Sequence, residues 1–178
     1  MLRYHNITTD DMLNGEGLRT VLWLSGCEHH CIGCHNPETW DPDIGLPVDD
    51  TVINEVIEKL KPDYISGLTL SGGDPLYIYN RDYLLPVLKE IKSKMGNKTI
   101  WLYTGYTWDD IIYSDDQTTH SILELIDVLV DGKYYSDLNS ADYHWAGSTN
   151  QRVIDVKKSL KSEKVVLYDN DYNDKGEK

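Results

Sequence analysis

Short apolar runs alternate with amphipathic stretches along this chain, and most of the runs end in polar, glycine-bearing loops. Residues 20–24, 65–70, 99–103 and 126–130 are such runs. Apolar runs of this length, bounded by turn residues, predict strands covered on both faces, as in a parallel sheet. Residues 153–156 and 165–168 are weaker candidates. Between the runs the period changes. Residues 51–61 place Val52, Ile53, Val56, Ile57 and Leu60 on one helical face, with Asp49 or Asp50 as N-cap. Residues 83–95 repeat the pattern through Leu84, Leu85, Val87, Leu88 and Ile91. Residues 107–113 and 119–125 predict shorter helices, and Thr107 stands three residues before Asp110, a capping box with Asp in place of Glu.

Strand, loop, helix, strand is the pattern of βαβ units with right-handed crossovers. It predicts an α/β fold with mostly parallel strands, either curled into a partial barrel or laid out as an open doubly wound sheet. The residues best suited to chemistry fall at the C-terminal ends of the predicted strands. Cys27 to Cys34 follow the first, Ser71 to Asp74 the second, Thr104 to Tyr106 the third and Asp131 to Lys133 the fourth. Ligands bind at that edge of parallel α/β folds, so four such loops describe one site.

Composition narrows the setting. The chain has 178 residues, the size of one domain. Its 17 Lys and Arg against 30 Asp and Glu give a net charge of −13, which argues against nucleic-acid and anionic-membrane binding. No apolar run approaches the roughly 18 residues of a membrane span. Residues 1–5 lack a signal-peptide pattern, so the expected compartment is the cytoplasm, where thiols stay reduced. Residues 1–168 are expected to form the core domain, and the acidic tail 169–178 is expected to be disordered.

Three cysteines, Cys27, Cys31 and Cys34, are the whole thiol inventory, in a C-x3-C-x2-C run. Three thiols cannot pair into disulfides without a remainder. With His29, His30 or His35 as fourth ligand they could hold zinc, although structural zinc sites usually use two separated ligand pairs. Cys31 and Cys34 could form a redox pair. On a four-iron cluster they would leave one iron open to a small molecule. Spacing alone leaves these readings open.

The motifs as a set resemble those of the radical S-adenosylmethionine enzymes. Gly15-Glu16-Gly17-Leu18-Arg19, then Gly26-Cys27, then Cys34-His35-Asn36 resemble the signature of the glycyl-radical-enzyme activases. Ser71 to Leu76, Thr104 to Tyr106, Val130 to Lys133 and Gly147 to Gln151 are similar to the branch that activates anaerobic ribonucleotide reductase. The resemblance covers residues 4–155. It implies a single-domain partial (β/α) barrel. It implies that Cys27, Cys31 and Cys34 are metal ligands and catalytic residues, holding a 4Fe–4S cluster whose open iron binds S-adenosylmethionine. Gly72 and Gly73 would admit the methionine end of that cofactor, and Asp74 or a backbone carbonyl there would take its amino group. Lys133 would pair with its carboxylate, with Asp131 anchoring Lys133 or helping to bind a cation. Thr104 would contact the adenosyl group, and Gly33, Cys34 and His35 would lie near the adenine. Arg19 and Asn36 would fix the loop and the partner surface, and His29 and His30 would be exposed. The implied reaction is reductive cleavage of the cofactor to a 5′-deoxyadenosyl radical, fed by a flavodoxin-like donor. That radical would take a glycine hydrogen from the large anaerobic ribonucleotide reductase subunit. An activase of another glycyl-radical enzyme, such as pyruvate formate-lyase, is one alternative; those chains are usually longer and often carry a further cysteine set. A non-enzymatic zinc or thiol sensor is the other.

Overall fold

The computed structural model describes residues 1–168. The expectation of a disordered tail at 169–178 falls outside the described residues. Among the described residues seven strands form one sheet: β1 (Arg3–Asp11), β2 (Leu18–Leu24), β3 (Leu46–Pro47), β4 (Ile65–Gly72), β5 (Thr99–Tyr103), β6 (Val128–Asp131) and β7 (Arg152–Asp155). Their spatial order is β3-β1-β2-β4-β5-β6-β7. β2, β4, β5 and β6, which grow from the four apolar runs, lie side by side and parallel. The margins are antiparallel: β1 against β2, β3 against β1, and β7 against β6. The expected parallel arrangement therefore describes the middle of a mixed sheet.

The helices are α1 (Asp50–Leu60), α2 (Arg81–Lys94), α3 (Trp108–Ile112), α4 (Gln117–Leu125) and α5 (Val156–Ser162). Their buried residues share one cluster with Leu22, Leu24, Leu68, Leu70, Ile100, Leu102, Leu129 and Ile154. Trp101, Val128, Val130 and Val153 belong to a second cluster, packed with Tyr103, Trp145, Ala146 and Tyr168 from strand and loops. Successive strand residues point to opposite faces, so all five helices cover one face and loops cover the other. A doubly wound sheet, with helices on both faces, is thereby replaced by a singly wound one. Each fully buried Leu contributes about 1.5–3 kcal/mol.

Local signals fix the helix starts. Asp49 caps α1 by accepting from Val52 N at 3.1 Å. Thr107 and Asp110 form the reciprocal capping box of α3, so the shorter Asp serves in place of Glu. Elsewhere the pattern misleads. β1 carries few apolar side chains and is half exposed along its length, which hides it from a search for apolar runs. The fourth strand begins at Val128, because Asp127 instead turns its carboxylate to Ile100 N at 2.8 Å. Residues 165–168 make only a bridge, Leu167 opposite Ile154. Val156 ends the last apolar run by opening α5, capped by Asp155 through Lys158 N.

The stretch Gly15 to Arg19 closes the N-terminal end of the parallel strands. Arg19 is fully buried. Its Nε donates to Thr69 Oγ1 at 2.7 Å and its Nη2 to Leu68 O at 2.7 Å and Thr99 O at 3.1 Å. Its Nη1 donates to Glu16 O and Thr99 Oγ1, both at 3.1 Å. The guanidinium lies 5.3 Å from the centre of the Trp101 ring. These partners are neutral oxygens, and burial lowers the Arg19 pKa to about 10. Gly17, at φ +75°, lets the chain pass Ser66, where a Cβ would come within 2.0 Å of the hydroxyl.

Candidate metal centre

The C-terminal end of the same strands is open. A cavity of about 610 Å³ lies there, and Cys27, Cys31, Cys34, His35, Gly72, Gly73, Asp74 and Thr104 all line it. The approach of β2 and β4 builds its floor. Gly73 N donates to Leu24 O and Asp74 N to Gly26 O, each at 2.7 Å. A Cβ on Gly73 would meet Gly26 O at 2.5 Å, and one on Gly72 (φ +100°) would meet Leu24 O at 2.7 Å. Both glycines are therefore required for backbone to pack on backbone, and their presence in the cavity wall follows from that packing.

The cysteine loop leaves β2 at Gly26. Gly26 N donates to Thr39 O at 2.7 Å and Cys27 N to Trp40 O at 3.0 Å, pinning the entry to the turn at Pro37–Thr39. Cys34 N closes a turn onto Cys31 O at 3.1 Å, and Asn36 N points at Cys34 Sγ at 3.4 Å. Burial pushes the Cys27 thiol up to about 12. A bare thiolate is therefore disfavoured at this position. Among the described residues no three His, Cys, Asp or Glu side chains are disposed around a single metal ion.

Asp74 is the hub of the strand ends. It is buried, and its carboxylate accepts from Leu76 N at 2.8 Å, Thr104 Oγ1 at 2.9 Å, Gly105 N at 2.9 Å and His29 Nε2 at 2.7 Å. Thr104 thus spends its hydroxyl proton on Asp74. His29 is not exposed as expected: its side chain is only 6% exposed, drawn inward by that carboxylate. His30 is exposed. Asn80, which sequence reasoning passed over, is buried at the start of α2 and donates from Nδ2 to Ser25 O at 2.8 Å and Asp74 O at 3.0 Å. It staples the cysteine-loop entry to the β4 end. An Asn before a predicted helix signals only a cap, and here the side chain makes no cap bond.

The remaining expected residues divide. Gly33 adopts φ +73° and passes Ser136, while the His35 ring packs on Tyr134 at 4.7 Å. Asp131 does not line the cavity. It is buried and accepts from Trp108 N at 2.8 Å, Arg152 Nε at 3.1 Å and Arg152 Nη2 at 2.5 Å, holding β7 and the first turn of α3. Lys133 is exposed and lines a neighbouring cavity of about 590 Å³. Gln151 organises the loop between them: its Nε2 donates to Gly132 O at 2.8 Å and its Oε1 accepts from Gly147 N at 2.9 Å. Arg19 sits at the opposite end of the strands, so it does not fix the cysteine loop directly.

Among family models, one described as a 4Fe-4S single cluster domain matches residues 13–154. The anaerobic ribonucleoside-triphosphate reductase-activating protein of Haemophilus influenzae is 40% identical over 152 residues, covering 84% of this chain and 96% of that protein. The proteins of the same name from Enterobacteria phage T4 and Escherichia coli K12 are 39% and 38% identical over 152 and 154 residues. Each of these matches covers 85% of this chain, with 93% and 97% of the two relatives.

Proposed function

The chain belongs to the family of anaerobic ribonucleoside-triphosphate reductase-activating proteins, and from that premise we propose how its own residues carry out the activation. It is an enzyme that acts on anaerobic ribonucleoside-triphosphate reductase and contains a 4Fe–4S cluster domain. In our reading Cys27, Cys31 and Cys34 ligate the cluster and S-adenosylmethionine binds at the iron they leave open. When bound, the cluster would supply the electron for reductive cleavage of S-adenosylmethionine, whose adenosyl part would then take a hydrogen atom from a glycine of the large reductase subunit.

The protein's part is holding and excluding. Gly26 and the Pro37–Thr39 turn hold Cys27 in a half-buried position, which limits water at the cluster edge. Gly72 and Gly73 line the cavity with the thiols, where a backbone carbonyl or Asp74 would take the cofactor's amino group. Asp74 holds that strand end against β5 through Thr104 and Gly105 N. Gly33 and His35, backed by Tyr134, offer a backbone edge and a ring for the adenine. Asp131 acts at one remove, through Arg152 and α3. Lys133 is our candidate for the cofactor carboxylate, approaching from the neighbouring cavity. The sheet, with every helix on one face and the cavity at its C-terminal edge, fits a partial (β/α) barrel in a single core domain over residues 1–168. No helix among the described residues is long and apolar enough to cross a membrane. We place the protein in the cytoplasm, with a flavodoxin-like donor as the source of the electron.

One observation carries this reading: the three thiols and the Gly72-Gly73-Asp74 strand end line the same cavity. Anaerobic reconstitution tests it. The expected result is brown protein with about four irons per chain, cleavage of S-adenosylmethionine under reduction, and a glycyl radical signal when the large reductase subunit is added. A colourless protein holding one zinc, or a cluster without cofactor cleavage, overturns it.

A further inference from the structure

His29 stands between two of the cysteines, two residues after Cys27 and two before Cys31, yet its side chain turns into the fold. Its neighbours in the loop turn out: Ile32 is 86% exposed and His30 is exposed as well. Three contacts hold the imidazole. Its Nε2 lies 2.7 Å from Asp74 Oδ2. Its ring meets Tyr106 edge-on, with centroids 4.6 Å apart and planes at 74°. Its flat face lies on Gly105, where a Cβ would come within 2.3 Å of His29 Cδ2. Glycine at 105 is thus the condition for the ring to be there.

Asp74 also accepts from Leu76 N and Gly105 N, so the imidazole ties the cysteine loop to the ends of β4 and β5 together. His29 and Gly105 line both cavities and form the wall between them. The backbone pins already described hold the loop only at its entry and at its last turn. Between Cys27 and Cys31 the anchors are side chains: Glu28 accepts from the Tyr106 hydroxyl, the His30 ring meets Trp40 at 4.8 Å, and His29, the buried one, reaches Asp74.

We propose that His29 is a positioning residue that sets the cysteine loop against the Gly72-Gly73 strand end, and thereby the distance between the open iron and the groups that hold S-adenosylmethionine. This rests on the reading that the three cysteines carry an open-iron cluster. The role is exerted through Asp74 and Gly105. Outer partners of metal ligands typically contribute about 10–100-fold to metal affinity or activity, and by analogy the loss here is expected in cofactor affinity.

Two substitutions approach the contact from opposite sides. His29→Ala deletes the ring, and Gly105→Ala expels it while leaving the cysteine loop's sequence intact. His29→Gln restores an N–H of similar reach. The proteins are reconstituted anaerobically, and iron per chain, the affinity for S-adenosylmethionine and the change it makes in the reduced cluster's EPR spectrum are measured. The expected result is iron close to wild type in all variants, with cofactor affinity weakened ~10–100-fold in His29→Ala and Gly105→Ala. The EPR change should be diminished, and His29→Gln should partly recover it. The double variant should be no worse than either single one, because both remove the same contact. Unchanged affinity and spectra, strictly additive losses, or wholesale loss of iron each overturn the proposal. Wild-type protein that fails to hold iron or cofactor instead overturns the reading it rests on.

Discussion

The two ends of the parallel strands carry the same kinds of residue and have opposite fates. At the N-terminal end Gly15 and Gly17 lead to a charged Arg19; at the C-terminal end Gly72 and Gly73 lead to a charged Asp74. Both charges are buried and both are hydrogen-bonded in full view of neighbouring backbone. The Arg19 end is closed: its donors are used up on five neutral-oxygen contacts and its ring partner is Trp101. The Asp74 end is equally satisfied, but it stands beside three free thiols and a cavity of about 610 Å³. Glycine plus charge is therefore a packing device at both ends. What distinguishes the C-terminal end, and makes it our candidate reaction site, is the set of three thiols and the cavity beside the device.

That contrast can be broken in graded ways. The largest effect is expected from Cys27→Ala, Cys31→Ala or Cys34→Ala: cluster iron and cofactor cleavage lost, with the apo melting temperature little changed. Iron analysis beside thermal unfolding checks both halves, and a large fall in apo stability would contradict the division. Arg19→Ala is the mirror image. It strands the buried carbonyls of Leu68 and Thr99 and opens a void, at about 1–3 kcal/mol for each orphaned group. Urea unfolding should fall by ~3 kcal/mol or more, while whatever folds still holds iron. Arg19→Lys should recover only part, since an ammonium lacks the planar fork.

Next come the glycines. Gly73→Ala places a Cβ at 2.5 Å from Gly26 O, and Gly17→Ala places one at 2.0 Å from Ser66 Oγ. Overpacking of this kind costs about 1–3 kcal/mol. Cofactor affinity should suffer only in Gly73→Ala, which forces the cysteine-loop entry off β4. Equal loss of affinity in Gly17→Ala would erase the distinction between the two ends. Asp49→Ala serves as a calibration far from both: losing the cap of α1 should cost about 1 kcal/mol and leave iron and cofactor binding untouched.

How far the sequence discloses this depends on what each residue contacts. The four central strands were legible because both their faces are covered, so their apolar character is continuous. β1 was not, because it is half exposed, and α5 was not, because Val156 reads as the end of a strand until Asp155 is seen to cap it. That the cysteines and Gly72-Gly73-Asp74 come together was legible, because strand ends collect on one edge. The roles within it were not. Asp131 looks like a cofactor residue beside Gly132, yet its carboxylate belongs to Arg152, which lies 21 positions later. His29 reads as exposed because the loop around it is polar, and its partner Asp74 is 45 positions away. Asn80, passed over in the sequence, acts as a staple. Such pairings are set by the sheet's register, which no local pattern carries.

The account turns on an iron that the three cysteines leave open for the cofactor. The most direct measurement is the EPR spectrum of the anaerobically reconstituted, reduced protein, recorded with and without S-adenosylmethionine. The expected result is about four irons per chain and a spectrum that shifts when the cofactor is added. A four-iron spectrum indifferent to S-adenosylmethionine would contradict it.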